Sequence, residues 1–174
     1  MATPGELWKL VRRTFLFTLV APGSLTVLVP YGLLRSARGT HALELTASGL
    51  AGLLPLGVGV GIYCWCAYDF VVSGRGTPDP WAAPRALVSR GLYRFVRNPM
   101  YVGVVSIVLG EAVLFGAGVL VLYAAILLMG FHVRVLLYEE PTLRRLFGSA
   151  YDAYCAEVPR WLPRFSAAAS RPES

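Results

Sequence analysis

The sequence is poor in amide, lysine and charged side chains. It has no Gln, one Asn and one Lys in 174 residues, and 15% of its residues are charged. Apolar residues make up 56%, and the mean hydropathy is +0.58. This composition excludes an ordinary soluble domain and predicts an all-α protein that crosses a membrane several times.

Cysteine is scarce as well. The three cysteines are Cys64, Cys66 and Cys155. One residue separates the first two, which lie in an apolar run and form no CxxC pair. The pattern predicts neither a disulfide framework nor a metal site. No small-residue cleavage site follows the first apolar run, so we expect no removed signal peptide.

The net charge is +6, and almost all of the positive charge is arginine. A basic balance can indicate a nucleic-acid partner. Here, however, the arginines flank apolar runs, where they set topology and contact lipid headgroups. We therefore expect membrane lipids, and no nucleic acid, as partners.

Four apolar runs cover residues 15–34, 45–72, 101–115 and 116–137. The third run is only about 22 Å long as a helix, against roughly 30 Å for a bilayer core. The central Gly-Ala-Gly break nevertheless favours a tight helical hairpin, with Glu111 near its turn, over one long helix. About four transmembrane helices are predicted.

The remaining segments complete three predicted regions. Residues 1–72 hold a short amphipathic segment at the interface and two spans, the second with a Gly57/Gly61 pair suited to close helix packing. Residues 73–165 hold a Gly/Pro-rich loop, the hairpin and a polar tail that is expected to lie back on the bundle. Residues 166–174 are expected to be disordered.

The only Asn stands where an arginine-rich segment meets the third apolar run. Asn98 precedes Pro99, which suits the first turn of a helix and keeps Asn98 itself extended. Asn98 is therefore predicted at the helix entrance, near the N-cap role. Free N–H groups there suit an anionic group such as a carboxylate.

Four ionisable residues follow at the end of the fourth run. His132 and Arg134 are functional candidates because ionisable groups at membrane depth are costly. Alternatively, Arg134 reaches the interface and His132 bonds a neighbouring carbonyl. His132 and Glu139 are seven residues apart and thus share a helix face. Glu139 and Glu140 precede Pro141, where the helix should bend or end.

The two adjacent acids at a helix C-terminus oppose the helix dipole, so a cationic partner is expected. A cofactor with a sulfonium, an ammonium and a carboxylate would suit these acids, the nearby aromatic rings and the helix entrance. S-adenosylmethionine is such a cofactor.

Two ordered motifs resemble the isoprenylcysteine carboxyl methyltransferase family, and the related phospholipid methyltransferases look similar. The resemblance covers about residues 74–163. The first motif consists of Gly91, Tyr93, Arg97, Asn98, Pro99, Tyr101 and Gly103. The second consists of Glu139, Glu140, Pro141, Leu143, Phe147, Gly148, Tyr151, Tyr154, Val158, Pro159 and Arg160.

The resemblance implies an integral membrane methyltransferase that binds S-adenosylmethionine on the cytoplasmic side, in a pocket capped by the tail. It places the cofactor contacts at Leu87, Val88, Tyr93, Asn98, Pro99, Met100, Tyr101 and Glu139. If the acceptor needs a base, the candidates are His132 and Glu140. Arg134 completes the candidate catalytic set.

Two positions depart from the pattern. The family usually has His where Asn98 stands, so a proton role there is excluded. The eukaryotic carboxyl methyltransferases place an Arg one turn before the acid, where this chain has Val135. Arg134 is next to that position but is predicted on a different face, which argues against a prenylcysteine carboxylate as acceptor.

The predicted function is methyl transfer from S-adenosylmethionine to a lipidic or small hydrophobic acceptor at the cytoplasmic face. The acceptor group, whether carboxylate, amine, hydroxyl or thiol, stays open, as does the oligomeric state. The alternatives are a membrane reductase of the sterol type using NADPH and a four-span protein without enzymatic activity.

Topology follows from the positive charges, of which thirteen flank one side of the predicted spans and two flank the other. Both termini and residues 73–97 are therefore expected in the cytoplasm. Reporter fusions at Arg38 and Ser166 should report opposite sides of the membrane. The same side for both would contradict the four-span topology.

Overall fold

The computed structural model describes residues 4–37, 47–72, 87 and 89–163, and over these residues it is built from helices and turns. The all-α prediction is confirmed for this part of the chain. A short 3-10 turn, Gly91–Arg94, precedes the second half. The α-helices are α1 (Pro4–Gly23), α2 (Val29–Ser36), α3 (Ala47–Leu50), α4 (Leu53–Val72), α5 (Pro99–Leu114), α6 (Gly118–Arg134), α7 (Glu140–Phe147) and α8 (Ser149–Glu157).

Three helical stretches among the described residues are long and apolar enough to cross a membrane: Thr14–Ser36, Ser48–Asp69 and Gly118–Phe147. The fourth apolar helix, α5, has 16 residues, which corresponds to about 24 Å. It is shorter than the others, so the count of four spans stays a prediction.

Two π-turns interrupt the long helices, and each ends two residues before a proline. Ser24–Leu28 precedes Pro30, and Val135–Glu139 precedes Pro141. A proline ring clashes with the carbonyl four residues earlier and supplies no N–H, and a wider turn just before it relieves both problems. The helix therefore does not end at Glu140 but continues as α7.

The first helix begins earlier than the predicted span, although the apolar stretch that could cross the membrane still starts at Thr14. Residues 4–13, expected as a separate amphipathic segment, belong to α1. No proline or glycine stands between Gly5 and Pro22, so nothing breaks the helix there. Side-chain hydroxyls then attach this span to the bundle: Thr18 bonds the hydroxyl of Tyr63 at 2.8 Å, and Tyr123 donates to the carbonyl of Leu25 at 3.0 Å.

The predicted hairpin between α5 and α6 is confirmed. Gly116 has φ +59° just after α5. The N–H of Ala117 bonds the carbonyl of Ala112 and that of Gly116 bonds the carbonyl of Val113, which is the Schellman arrangement of a helix end. Beside this turn Val105, Val108 and Ala112 pack against Leu120 and Ala124 to form the core.

Glycines bring α4 and α5 into backbone contact. A methyl group on Gly59 would lie 2.6 Å from the carbonyl oxygen of Gly103, and one on Gly52 would lie 2.5 Å from that of Gly110. The earlier glycine of the first helix faces the later glycine of the second, so the two helices are antiparallel. The prediction that Gly57 and Gly61 allow close helix packing is wrong, since a methyl group on either would meet nothing within 4 Å.

The contact can be tested with two glycines of one helix that lie two residues apart. Gly59→Ala should destabilise the protein by about 1–3 kcal/mol, the usual cost of overpacking. Gly61→Ala should be neutral or slightly stabilising, because alanine is the better helix former. Melting temperatures in detergent compare the two, and equal values would contradict the close packing at Gly59.

Candidate active site

The segment before α5 is held from both sides. Gly91 has φ +56° and lies directly against the carboxylate of Asp69 at the end of α4, so that a side chain at this position would collide with it. From the tail, the hydroxyl of Tyr154 donates to the carbonyl of Tyr93 at 2.7 Å. Burial raises the pKa of Tyr154, so the phenol stays a donor at neutral pH.

Asn98 stands at the N-cap of α5 as predicted, and Pro99 occupies the first turn and is fully buried. The side chain of Asn98 does not cap the helix, however. Its Nδ2 donates instead to the carbonyl of Arg160 in the returning tail at 3.2 Å. The first bond into the helix runs from the N–H of Val102 to Asn98, so the N–H groups of Met100 and Tyr101 precede the helical hydrogen bonds.

The two sequence motifs meet at Tyr101 and Glu139. The hydroxyl of Tyr101 donates to Oε1 of Glu139, and Nε of Arg134 donates to the same oxygen at 2.9 Å. Phe131 stacks on the ring of Tyr101 with the ring centres 4.3 Å apart. The Glu139 side chain keeps 23% of its surface exposed. Both contacts use Oε1, so within the described residues Oε2 has no hydrogen-bond partner.

The second π-turn produces this pairing. Residues five apart lie far apart around an α-helix, but a π-turn closes between residues i and i+5 and stacks them. Arg134 and Glu139 are five apart, and Val135–Glu139 is the π-turn. The prediction that Arg134 lies on a different face is therefore wrong: Arg134 lies one π-helical turn before Glu139 and bonds it. Its guanidinium also lies over the ring of Tyr138 at 5.4 Å.

Glu140 is buried, with 3% of its surface exposed, and is surrounded by arginines. Arg160 binds it with two bonds, from Nε to Oε1 at 2.7 Å and from Nη2 to Oε2 at 3.1 Å. Arg97 donates to Oε1 at 3.1 Å, and Arg144 lies 4.0 Å from Oε2. The cationic partners expected for the acidic pair thus include the chain's own arginines.

His132 contacts the tail. Its Nδ1 accepts a hydrogen bond from the indole Nε1 of Trp161 at 3.1 Å. A neutral imidazole that accepts at Nδ1 carries its proton on Nε2. His132 therefore presents a donor, rather than a lone pair, at its other nitrogen.

The structure brings the predicted residues into two neighbouring groups. Tyr101, Arg134 and Glu139 form the first group. Asn98, Glu140 and His132 form the second, through contacts with the tail. Leu87 and Met100 are half-buried. Val88 lies outside the described residues.

Sequence reasoning gave no site role to four residues that bond or stack on members of these groups. They are Arg97, Phe131, Arg160 and Trp161. Arg97 and Arg160 stand inside the two motifs. A buried acid that needs a partner was the signal that could have identified them.

A family model described as phospholipid methyltransferase matches residues 48–150, more than half of the chain. The protein-S-isoprenylcysteine O-methyltransferase of Schizosaccharomyces pombe is 36% identical over 97 residues. That alignment covers 56% of this chain and 39% of the yeast protein, so the chain spans well under half of that relative's length. No solved structure matches the chain significantly.

The bond from Asn98 to the tail predicts the effect of two substitutions. Asn98→Asp removes the donor and costs about 1–3 kcal/mol. A negative charge at a helix start regains only about 0.3–1 kcal/mol, so the melting temperature should fall. Asn98→His retains a ring N–H donor and should be tolerated. Equal melting temperatures for wild type and Asn98→Asp would contradict this role.

Proposed function

Because the chain belongs to the phospholipid methyltransferase family, we propose that it transfers a methyl group from S-adenosylmethionine to a lipidic or small hydrophobic acceptor at the cytoplasmic membrane face. The observation that carries the proposal is the contact between Tyr101 and Glu139. It joins the helix entrance of the first motif to the acid of the second, 38 residues later.

The chemistry of these groups fits the cofactor. Oε2 of Glu139 is the acceptor for the ammonium group, with the charge-assisted strength of such bonds. The N–H groups of Met100 and Tyr101, at the start of a 16-residue helix, are donors for the carboxylate. The ring of Tyr101, stacked on Phe131, offers an electron-rich face to a sulfonium.

When bound, S-adenosylmethionine supplies a methyl group on positively charged sulfur, and the acceptor gains that methyl group as the carbon–sulfur bond breaks. Such an in-line displacement requires alignment and exclusion of water more than acid–base help. In this proposal the alignment comes from the stacking of Phe131 on Tyr101 and from the bonds of the tail to Asn98 and Glu140, the neighbours of the site in sequence.

The state of the two candidate bases favours an acceptor that needs no proton removed. Both oxygens of Glu140 are bonded by arginines, and Nδ1 of His132 is occupied by Trp161. The arginines stabilise the charged form of Glu140, and the lone pair at Nδ1 of His132 is taken by Trp161, so neither group is placed to take a proton. Glu140 then has a positioning role, and His132 acts as a donor. The sequence argument against a carboxylate acceptor was that Arg134 would lie on a different helix face. Because Arg134 bonds Glu139, that argument no longer holds.

Glu139→Gln tests the assignment with nearly unchanged shape. Loss of one charge-assisted hydrogen bond costs about 1.5–3 kcal/mol, so affinity for S-adenosylhomocysteine should fall roughly tenfold to a hundredfold. Calorimetry on the detergent-solubilised protein measures this. Glu157→Gln, at an exposed position on α8, is the matched control and should bind normally.

Two outcomes would reject the proposal. One is unchanged affinity in a folded Glu139→Gln protein, which would remove Glu139 from the cofactor site. The other is a wild-type protein that binds NADPH but not S-adenosylhomocysteine, which would indicate the reductase alternative. If the cofactor binds, a lipid extract with labelled methyl donor identifies the acceptor class.

A further inference from the structure

The tail returns to the site through four residues, 158–161, which we name the tail strap. Val158 is buried and its N–H closes α8 on the carbonyl of Tyr154. The carbonyl of Pro159 then accepts the N–H of Arg97 at 2.9 Å. The first bond ties the strap to the end of α8, and the second holds its backbone against the turn that leads into α5.

Arg160 bonds both halves of the proposed cofactor site. Its carbonyl accepts from Asn98, at the entrance of α5, at 3.2 Å. Its guanidinium holds both oxygens of Glu140, at 2.7 and 3.1 Å. Glu140 directly follows Glu139, so one residue links the segment of Tyr101 to the segment of Glu139.

We propose that Arg160 is the positioning residue that holds Glu139 and Tyr101 in register for the cofactor. This inference rests on the proposed function and adds a residue that touches neither cofactor nor acceptor. The planar fork of Arg160 spans both carboxylate oxygens, so it fixes the direction of Glu140 as well as its position.

The burial of Glu140 explains why this contact matters. A buried carboxylate that loses its main partner is left with uncompensated charge and moves toward water or another cation. Arg97 is the remaining close partner, and it lies on the α5 side. Movement of Glu140 rotates the adjacent backbone, and Glu139 is carried away from Tyr101.

The chain offers a matched control in Arg144, which faces the same carboxylate. It lies 4.0 Å from Oε2, its side chain is 51% exposed, and its closer partner is Asp152 at 3.1 Å. A pair that exposed contributes little, since solvent screens it. Arg160→Met and Arg144→Met therefore remove the same charge at two distances from Glu140.

The experiment measures S-adenosylhomocysteine affinity, melting temperature and amide exchange of Arg97 for both variants. In Arg160→Met the affinity should fall on the order of tenfold to a hundredfold, as small misplacements of a site do. The amide of Arg97 should exchange faster as the strap loosens. In Arg144→Met the affinity should stay within about threefold, with exchange unchanged.

Arg160→Lys keeps the inference testable if the methionine variant does not fold. A lysine retains the charge but cannot hold both oxygens, so affinity should still fall at a nearly normal melting temperature. Wild-type affinity in folded Arg160→Met or Arg160→Lys, or equal losses in Arg144→Met, would overturn the positioning role alone. Failure of the wild-type protein to bind S-adenosylhomocysteine would overturn the proposed function, and this inference with it.

Discussion

The backbone contact between α4 and α5 is the constraint on which the site depends. Gly52 and Gly59 lie against the backbone of Gly110 and Gly103, where a methyl group would collide with the facing helix. Association in a bilayer relies on such van der Waals packing, because lipid is as apolar as the helix faces. Gly103 lies one turn after Pro99, so this contact also fixes the entrance of α5 relative to the end of α4.

The helices themselves could be predicted from the sequence, because their apolar runs and breakers are local signals. The hairpin follows from Gly116 and the glycines beside it, which gave the right turn. The partner glycines did not follow. Spacing suggested Gly57 and Gly61, but which face of a wholly apolar helix meets its neighbour is decided by the neighbour. The length of α1 was also missed. Its amphipathic start suggested a separate segment, whereas the absence of proline and glycine lets the helix run on without a break.

The sequence motifs could name candidate site residues, but they could not predict which of those side chains contact one another. The motifs identified Asn98, Tyr101 and Glu139, and the structure connects Tyr101 to Glu139. Helical periodicity of 3.6 residues placed Arg134 away from Glu139. The π-turn changes that period over five residues, and its cause is Pro141, which lies beyond it. Pro141 was interpreted as the site of a bend or a helix end, whereas the structure shows a change of register before it that pairs the arginine with the acid.

Two adjacent acids therefore have different environments, and the difference matches a structural role for Glu140 and the binding role that we propose for Glu139. Glu140 is buried, and its oxygens are bonded by arginines from the α5 entrance and the tail, with an exposed arginine of α7 farther away. Glu139 is partly exposed and meets one arginine and one phenol through a single oxygen. A fully compensated buried carboxylate gains little from a further cation, whereas a half-satisfied one retains an acceptor for it. The π-turn sets the face of Glu139, and the arginines hold Glu140. Together they leave Oε2 of Glu139 without a hydrogen-bond partner among the described residues, and this is the oxygen that we propose as the acceptor for the cofactor's ammonium group.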